Sequence, residues 1–461
     1  PAGFYYKTFM WPPSFWYKIY EPFIRMAAGF GEASIKHDKE RYEHKYEYCD
    51  LLITGSGPSG LASAYAAAKN GARVILAEDK PRFGGSLLTS DVNIGNQTGV
   101  EWTEKIIAEL KSMPNVTVKN RSQVFGYYDH NMLVMSERIS DHLPKTQKYL
   151  PKQRLWYIRA NEVLISSGSI ERPLVFGNND TPGVMLSSAA KEYMKVYGVL
   201  VGKKPLIFTN NDSGYETAIE FKKNGVNPII LDTRSNPSSD IITEAKNLNI
   251  EIRFSYVVVA AKGYKKVKSA DIAKISDDKK ELFNIENIEC DCICVSGFWT
   301  PSIHLASQSG NKSKFNEKID AFVPDKSKQQ ENTIGSANGI FTLEETIKDA
   351  FDKGFDVSNK ITEKNNKVSV PTVVEKKSTD HDKFWCVPLP KGKSYKRFLD
   401  FQNDVAVSDI ELALREGFRS IEHVKRYTTL GMATDQGKTS NLNGLQLVSD
   451  IENKVVPQVG H

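Results

Sequence analysis

Cysteine is scarce in this sequence, which excludes a fold built on disulfides. Only five cysteines occur in 461 residues, far below the density of small secreted domains. None has the Cys-x-x-Cys spacing of a dithiol redox motif, which argues against disulfide reductase chemistry. Cys290, Cys292 and Cys294 alternate along a predicted strand and would share one face, where core packing is favoured over metal binding.

Long apolar runs and a strong charge imbalance are also missing. No stretch reaches the roughly 18 apolar residues of a membrane-spanning helix, and no signal peptide opens the chain. We therefore expect a cytoplasmic location and no membrane partner. The 61 basic and 56 acidic residues are interspersed, which argues against a nucleic-acid partner. The eight scattered histidines show no metal-ligand spacing, and we identify no catalytic residue and no metal.

The first 30 residues are rich in aromatic side chains. They show no clean period, so this arm is expected to cover either its own body or a partner subunit. Its aromatic residues include Phe4, Tyr5, Tyr6, Phe9, Trp11, Trp16 and Tyr20. Residues 31–47 are polar, which favours a linker.

A glycine-rich turn stands between two predicted strands. Asp50–Thr54 is a short apolar strand, Gly60–Asn70 a helix and Ala72–Ala77 a second strand. The segment Gly55-Ser-Gly57-Pro58-Ser59-Gly60 joins the first strand to the helix. This is the full context of a dinucleotide fingerprint.

Each fingerprint residue has a physical task. Gly55 makes the tight turn, Gly57 lets a pyrophosphate approach the backbone, and Gly60 lets the helix pack on the strand. Pro58 and Ser59 begin the helix, whose free N–H groups and dipole favour phosphate. Glu78, followed by Asp79, would accept hydrogen bonds from a ribose and disfavour a 2′-phosphate. We expect NAD, FAD or an adenine nucleotide rather than NADP.

Three later segments fit the same site in the expected order. Gly84, Gly85 and Ser86 would bring backbone near the pyrophosphate or ribose. A strand at Val116–Val118 leads to Val124, whose backbone would flank an adenine. The strand Val163–Ser167, ending at Gly168, matches the crossover of flavoproteins that have two dinucleotide-binding domains.

A second strand–helix–strand unit carries a damaged fingerprint. It comprises Pro205–Thr209, Gly214–Asn224 and Pro228–Leu231, and Ile252–Ala261 and Cys290–Val295 read as further strands. Asn210, Asp212 and Tyr215 stand where the three glycines should be. The charge of Asp212 would repel a pyrophosphate, so we expect this domain to have lost NAD(P)H binding.

The chain then returns to the first domain through Thr333–Gly339 and a helix at Leu343–Lys353. Flavoproteins of this architecture usually place an Asp after the glycine that corresponds to Gly335, where it grips the flavin's ribityl chain. This segment, with Gly335 and Ala337 as cofactor-binding candidates, has none. That favours NAD or an adenine nucleotide over FAD.

These units predict an α/β protein with the fold of flavoproteins that have two dinucleotide-binding (FAD/NAD(P)-binding, Rossmann-like) domains. The second domain is inserted in the first, and a small α-rich domain follows. The expected boundaries are arm and linker 1–47, first domain 48–175 and 325–365, second domain 176–324, and linker plus C-terminal domain 366–461. In the last, Val407–Phe418 and Glu422–Thr428 are expected to be helical.

Several segments together resemble one family, the alpha subunit of heterotetrameric sarcosine oxidase. The segment Val424–Asn441 is the most specific part of this resemblance. The segments are Pro1–Trp11, Glu171–Val175 with Asn178–Asp180, Thr209–Ser213, Val295–Pro301 and Val424–Asn441.

The resemblance implies an enzyme that oxidatively demethylates sarcosine to glycine, with hydrogen peroxide and methylene-tetrahydrofolate as further products. It implies NAD in this chain, FAD and the amine site in a beta subunit, FMN between the two, and small gamma and delta subunits. The surface facing FMN and the beta subunit would include Arg426, Thr428, Thr429 and Lys438.

Two departures from the family pattern bear on function. The family's alpha subunit has a domain before the aromatic arm and a folate-binding domain after the tail, so we expect either a fragment or a naturally split subunit. Relatives that oxidise other amines often carry an iron–sulfur domain near the tail, but Asp400–Asp404 and Asp435–Gly437 hold no cysteine, so no cluster can be ligated.

Three alternatives stay open from the sequence. One is the alpha subunit of a related amino-acid or opine dehydrogenase, and another is a stand-alone NAD(P)H-dependent flavin reductase. The third is a non-catalytic, nucleotide-sensing scaffold.

Overall fold

The computed structural model describes residues 11–29, 31, 33–144, 149–362, 364–375 and 381–460. The first domain is built on a seven-stranded sheet with helices Pro58–Lys69, Gly99–Ser112 and Leu343–Thr362 packed against one face. In spatial order its strands are Val116–Lys119, Val74–Ala77, Tyr42–Thr54, Gln153–Ile165, Met132–Arg138 and Ser122–Tyr128, with Glu331–Thr333 paired to the end of Gln153–Ile165.

The first strand is longer than the sequence predicts. It begins at Tyr42 rather than Asp50, so the expected linker 31–47 ends at residue 41. Its first half pairs in parallel with Gln153–Arg159 but is mostly exposed, so no apolar run marks it in the sequence. The helix Leu343–Thr362 also extends nine residues beyond its predicted end at Lys353.

The second domain is a parallel five-stranded sheet with a three-stranded antiparallel sheet beside it. The parallel strands, in spatial order, are Glu251–Phe254, Ile229–Asp232, Pro205–Thr209, Cys292–Ser296 and Val184–Leu186. The antiparallel strands are Tyr256–Lys262, Ser269–Ile275 and Leu282–Glu289, and the helices are Ser187–Tyr197, Ser213–Lys223 and Asp240–Asn247.

Two strand predictions in this domain were wrong. Ile252–Ala261 is two strands in different sheets, because Ser255 adopts a left-handed conformation (φ +57°) that breaks the run. Cys290 precedes the strand that holds Cys292 and Cys294, and it packs in a different apolar cluster. All three thiols are buried, and no metal-binding cluster occurs among the residues described.

Two short antiparallel strands, Ser169–Glu171 and Trp299–Pro301, carry the chain between the domains. We call them the crossing strands. The helix His304–Gln308 and the hairpin Ser313–Asn316/Ala321–Pro324 follow, and Ala306 packs on the first domain's sheet. We therefore place the domain boundary at the crossing strands rather than at residues 176 and 324.

The C-terminal residues form a small module around their own apolar cluster. It contains the strands Phe398–Asp400 and Val405–Ala406 and the helices Val407–Arg415, Ile421–Thr428, Asn441–Glu452 and Val456–Val459. Across the described part of the chain, no helix has the length and apolar character needed to cross a lipid bilayer.

Only part of the aromatic arm falls within the described residues. Its first ten residues lie outside them, and the rest forms short helical turns, Pro13–Phe15 and Trp16–Tyr20, and the helix Glu21–Ala27. Trp11, Tyr17 and Phe23 are exposed. What the arm covers stays a prediction.

A carboxyl group is fully buried where the two domains join. Glu171 ends the first crossing strand and accepts a hydrogen bond from the backbone N–H of Ser188 (2.6 Å) at the start of a helix. Its second oxygen has no partner among the described residues. Burial raises the pKa of Glu171 to about 7, because a low-dielectric environment disfavours the charged form.

We predict that Glu171→Gln raises the free energy of unfolding above that of the parent protein, and that this gain is larger at pH 8 than at pH 4. The folded-state pKa lies above the unfolded one, so the contribution of Glu171 is fully present below about pH 4.5 and is lost as pH rises towards 7. That loss amounts to about 3 kcal/mol, and Gln avoids it. Urea unfolding across pH 4 to 8 measures the difference, with the exposed Glu104→Gln as control. A pH-independent difference for Glu171→Gln would contradict the prediction.

Candidate functional site

The fingerprint turn, Gly55–Gly60, has the geometry that its glycines require. Gly55 has φ +104°, and a Cβ there would lie 2.4 Å from the carbonyl oxygen of Ser166. A Cβ on Gly60 would lie 1.8 Å from the carbonyl oxygen of Gly55, so the helix can sit this close to the strand only with glycine. A Cβ on Gly57 would meet nothing within 4 Å, which leaves open space beside its backbone.

The later glycine segments pack directly against this turn. The N–H of Gly84 donates to the carbonyl of Ser56 (3.0 Å), and a Cβ on Gly85 would lie 2.8 Å from the Cα of Gly57. A Cβ on Gly335 would meet the side chain of Ser59 at 2.6 Å, and Ala337 is buried on the same 3-10 turn. Ser86 is exposed beside Gly85. The fold thus brings together loops that are some 280 residues apart in the sequence.

Ser166, in the predicted crossover, contacts the fingerprint turn. The hydroxyl of Ser166 donates to the carbonyls of Thr54 (2.9 Å) and Gly55 (2.8 Å). Ser167 donates to the carbonyl of Ser302 (2.7 Å), and Gly168 has φ +76°. The predicted crossover therefore lies where the chain enters and leaves the second domain.

Glu78 lies at the end of the second strand and steadies the turn. Its carboxylate accepts hydrogen bonds from the N–H and hydroxyl of Ser56 (2.8 and 2.5 Å) and from the N–H of Lys80 (2.9 Å). Burial raises its pKa, while the three donors favour the charged form. The sequence predicts that Glu78 binds a ribose, but it carries no signal for the contact of Ser56 with Glu78. The two residues meet only when the strand and the turn are folded together.

Two further predicted residues lie beyond Glu78. Asp79 is exposed, and Val124 is half-buried on the strand Ser122–Tyr128. That strand begins beside Glu78, because the N–H of Ser122 donates to the Glu78 carbonyl (2.7 Å). The predicted residues therefore fall into a glycine-rich group at the helix N-terminus and a second group around Glu78.

The helix Pro58–Lys69 supplies the electrostatics of the glycine-rich group. No side chain caps its N-terminus, so its first N–H groups and positive dipole end face the turn. Such an end binds phosphate groups. Together with an acidic acceptor at Glu78, this arrangement suits a dinucleotide without a 2′-phosphate.

The corresponding turn of the second domain is filled by side chains. Arg234 is buried and pairs with Asp212 (2.9 Å) and Asp232 (2.9 Å). Tyr215 is fully buried and donates to Asp232 (2.6 Å). The guanidinium neutralises the aspartate that sequence analysis expected to repel a pyrophosphate, and it takes up the adjacent space.

A segment from beyond the first domain also covers this second turn. In residues 381–387, which we call the cover segment, the carbonyl of Asp382 accepts from Asn210 Nδ2 (2.8 Å) and its N–H donates to the Asn210 carbonyl (2.8 Å). The Asp382 carboxylate contacts Thr233 (2.9 Å) and Lys279 (2.9 Å). The sequence predicts a linker here, since no local pattern connects Asp382 with a turn about 170 residues earlier.

The four residues predicted to face FMN lie on the C-terminal module. Arg426 is exposed on the helix Ile421–Thr428, Thr429 ends that helix with φ +66°, and Lys438 is exposed. The charge of Lys438 adds to burial in lowering the pKa of His304. Because His304 lies three residues after a crossing strand, this surface lies near the junction of the domains.

Asp400, at a position where thiolates would be needed for an iron–sulfur cluster, has a structural role. It is buried, and its carboxylate accepts from the N–H groups of Gln402 (2.9 Å), Asn403 (3.1 Å) and Gly431 (2.8 Å). It therefore ties the hairpin of the module to the loop after the helix Ile421–Thr428.

We predict that Arg234→Met destabilises the second domain by about 3–5 kcal/mol, because it leaves the buried Asp232 and the partly buried Asp212 without their cation. Adding Asp232→Asn to that variant should restore part of the loss. Urea unfolding measures both, with Arg253→Met as control, since Arg253 makes two more exposed ion pairs. Equal losses of stability in Arg234→Met and Arg253→Met would show that the ion pairs of Arg234 contribute no more than the more exposed pairs of Arg253.

Comparison with known proteins agrees with this architecture. Residues 49–331 match the family described as pyridine nucleotide-disulphide oxidoreductase, and residues 394–461 match the sarcosine oxidase A3 domain. The sarcosine oxidase subunit alpha of Rhizobium meliloti (strain 1021) is 38% identical over 465 residues, covering 100% of this chain and 45% of that protein. That of Corynebacterium sp. (strain P-1) is 31% identical, covering 92% and 44%. This chain thus spans less than half the length of these relatives.

A solved structure shows the same fold. L-proline dehydrogenase from P. horikoshii superposes with a TM-score of 0.63 at 18% identity, covering 93% of this chain and 79% of that one. The expected two-domain α/β fold with a small C-terminal helical part is confirmed. The chain belongs to the pyridine nucleotide-disulphide oxidoreductase family and is a homologue of the alpha subunit of sarcosine oxidase.

Proposed function

We propose that this chain is the NAD-binding alpha subunit of a cytoplasmic, multi-subunit flavoprotein oxidoreductase of the sarcosine oxidase type. FAD and the amine site belong to a beta subunit, FMN lies between the two, and gamma and delta subunits complete the assembly. The whole complex would demethylate sarcosine to glycine with formation of hydrogen peroxide and methylene-tetrahydrofolate. The carrying observation is the 38% identity over the full chain.

The first domain's turn supports NAD as the nucleotide. Gly57 leaves room for a pyrophosphate, the uncapped helix end attracts it, and the Glu78 carboxylate, which also accepts from Ser56 and Lys80, lies beside the turn where a ribose would be held. The 3-10 turn that starts at Gly335 contains no Asp to grip a ribityl chain. NAD held here would have a structural role, while Ser56, Ser166 and Glu78 fix the turn that receives it.

The second domain argues against a stand-alone flavin reductase. Such an enzyme needs a pyridine nucleotide to enter beside a bound flavin, and that entry would have to displace the Arg234–Asp212 pair and the cover segment. A scaffold without catalytic partners accounts less well for a C-terminal module that matches a sarcosine oxidase domain. A related amino-acid or opine dehydrogenase stays the closest alternative.

The first experiment identifies the nucleotide. The purified chain is denatured, and the released compound is analysed by mass spectrometry beside a visible absorption spectrum. NAD without a flavin spectrum is the expected result. A stoichiometric amount of FAD would reject the assignment of the Gly335 segment and favour the reductase.

We predict that enlarging Gly57 removes the nucleotide but preserves the fold. The backbone at Gly57 (φ −67°, ψ −173°) suits any residue, and its Cβ position is free. In the series Gly57→Ala, Gly57→Val and Gly57→Leu, nucleotide content should fall stepwise, by at least about tenfold for Leu, equivalent to 1.4 kcal/mol. Thermal unfolding of the nucleotide-free proteins should stay unchanged.

Gly60→Ala is the matched contrast, because its Cβ would collide with the Gly55 carbonyl. This variant should lose stability as well as nucleotide. If Gly57→Leu retains its nucleotide, the pyrophosphate does not pass beside Gly57, and the proposed location of the nucleotide site is rejected.

We also predict that Lys438→Met lowers the FMN content of the assembled complex without changing its NAD content. The exposed Lys438 would provide a positive charge for the FMN phosphate, as Arg426 would, with Thr428 and Thr429 between them. Flavin and nucleotide are quantified after denaturation, with Lys454→Met, which is exposed elsewhere on the C-terminal module, as control. Full FMN occupancy in Lys438→Met would exclude this residue from the flavin surface.

A further inference from the structure

One helix of the second domain lies against the loop that forms a wall of the proposed nucleotide site. We call residues 84–97 the Gly85 loop. A Cβ on Gly85 would lie 2.8 Å from the Cα of Gly57, so this loop closes directly on the fingerprint turn. The helix Ser187–Tyr197 lies beside the first turn of the loop, Gly85–Leu88. The position of this helix therefore limits how far the Gly85 loop can move.

Ion pairs connect the Gly85 loop with two helices of the second domain. The carboxylate of Asp91 pairs with Lys195 on the helix Ser187–Tyr197 and with Lys223 (2.8 Å) at the end of the next helix. Burial acts to raise the pKa of Asp91, but the two ammonium groups lower it to about 2, so the carboxylate is charged at neutral pH. The side chain of Lys195 is largely buried and also lies 3.8 Å from Glu220.

A second ion pair joins the same helix to the first domain beside Glu78. The N–H of Lys80 donates to the Glu78 carboxylate, and the ammonium group of Lys80 pairs with Glu192 (3.0 Å). Glu192 and Lys195 are three residues apart, so they lie on the same side of the helix. The two ion pairs therefore connect this helix to both groups of residues predicted to hold the nucleotide.

The start of the helix is fixed to the first crossing strand. There the N–H of Ser188 donates to the carboxyl group of Glu171 (2.6 Å). Ser188, Glu192 and Lys195 follow the i, i+4, i+7 spacing of a single helix face. One face of this helix thus contacts the crossing strand, the residue that holds Glu78, and the Gly85 loop.

We propose that the helix Ser187–Tyr197 is a clamp that keeps the nucleotide site of the first domain closed and slows release of the nucleotide. This inference rests on the proposed NAD site. Release requires the Gly85 loop to move away from the fingerprint turn, and that movement breaks the ion pairs of Asp91. The second domain, whose own turn is filled by side chains, thereby keeps a role in nucleotide binding. Asp91, Lys195 and Lys223 are positioning residues, because they act on the nucleotide only through the Gly85 loop.

The test measures how fast the full chain releases NAD. Protein loaded with isotope-labelled NAD is mixed with an excess of unlabelled NAD, and loss of label is followed over time. Because salt screens exposed charges, release from the parent protein should be faster at about 500 mM than at about 20 mM NaCl. The double variant Lys195→Met/Lys223→Met should release NAD about fivefold faster than the parent at low salt. It should also respond much less to salt than the parent does.

Two further variants make the result specific. Asp91→Asn changes only an exposed side chain, so its fold is not at risk, and it should release NAD as fast as the double variant. Combining all three substitutions should add little, as expected for residues of one network. Lys204→Met is the control and should behave like the parent, because Lys204 pairs with Glu289 (2.8 Å) on the surface of the second domain.

The possible failures can be told apart. Release of NAD at the parent rate and with the parent's salt dependence, from both Asp91→Asn and the double variant, would overturn the clamp while leaving the NAD site in place. If the parent chain binds no NAD, the proposed function is rejected and the clamp with it.

Discussion

The approach of the fingerprint helix to its strand is the constraint on which the rest of the first domain depends. At Gly60 the helix passes so close to the carbonyl of Gly55 that no Cβ fits. That approach directs the helix N-terminus at the turn, where the Gly85 and Gly335 loops close around it. A nucleotide bound here, as proposed, would meet a turn that Ser166 and Glu78 already hold by hydrogen bonds from two sides.

The two domains carry different side chains at corresponding turns. In the first domain, glycines leave the backbone of the turn open. In the second domain, Asp212 and Tyr215 occupy the corresponding positions, Arg234 pairs with Asp212, and Tyr215 donates to Asp232. The result is a satisfied polar network rather than a vacant groove, and Asp382 closes it from outside. The turn of the second domain is thus part of a contact between domains, because the cover segment connects the second domain to the C-terminal module.

Sequence patterns predicted what is local in this protein. The fingerprint at Gly55–Gly60, the buried strand Pro205–Thr209 and the damaged turn at Asp212 follow from apolar runs and turn chemistry within about ten residues. The exposed half of the strand from Tyr42 could not be predicted, because its partner Gln153–Arg159 lies over 100 residues away and neither is apolar throughout. The same holds for Ser56 with Glu78 and for Asn210 with Asp382, whose contacts exist only after distant segments meet.

The domain boundaries also depend on contacts between distant segments. The predicted second domain includes residues 302–324, yet the helix His304–Gln308 packs on the first domain, where Gln308 accepts a hydrogen bond from the backbone N–H of Tyr127. The hairpin that follows packs on the C-terminal module through Phe315 and Phe322. The chain therefore leaves and re-enters the first domain at one place, Gly168 and Ser302, which are themselves hydrogen-bonded (3.0 Å). That place lies beside the fingerprint turn, and the charge of Lys438 acts on the nearby His304. The proposed nucleotide site, the domain junction and the proposed flavin surface therefore share one region. A ligand bound at the turn would consequently also stabilise the junction, because Ser166 hydrogen-bonds to the turn while Ser167 and Gly168 hydrogen-bond to Ser302.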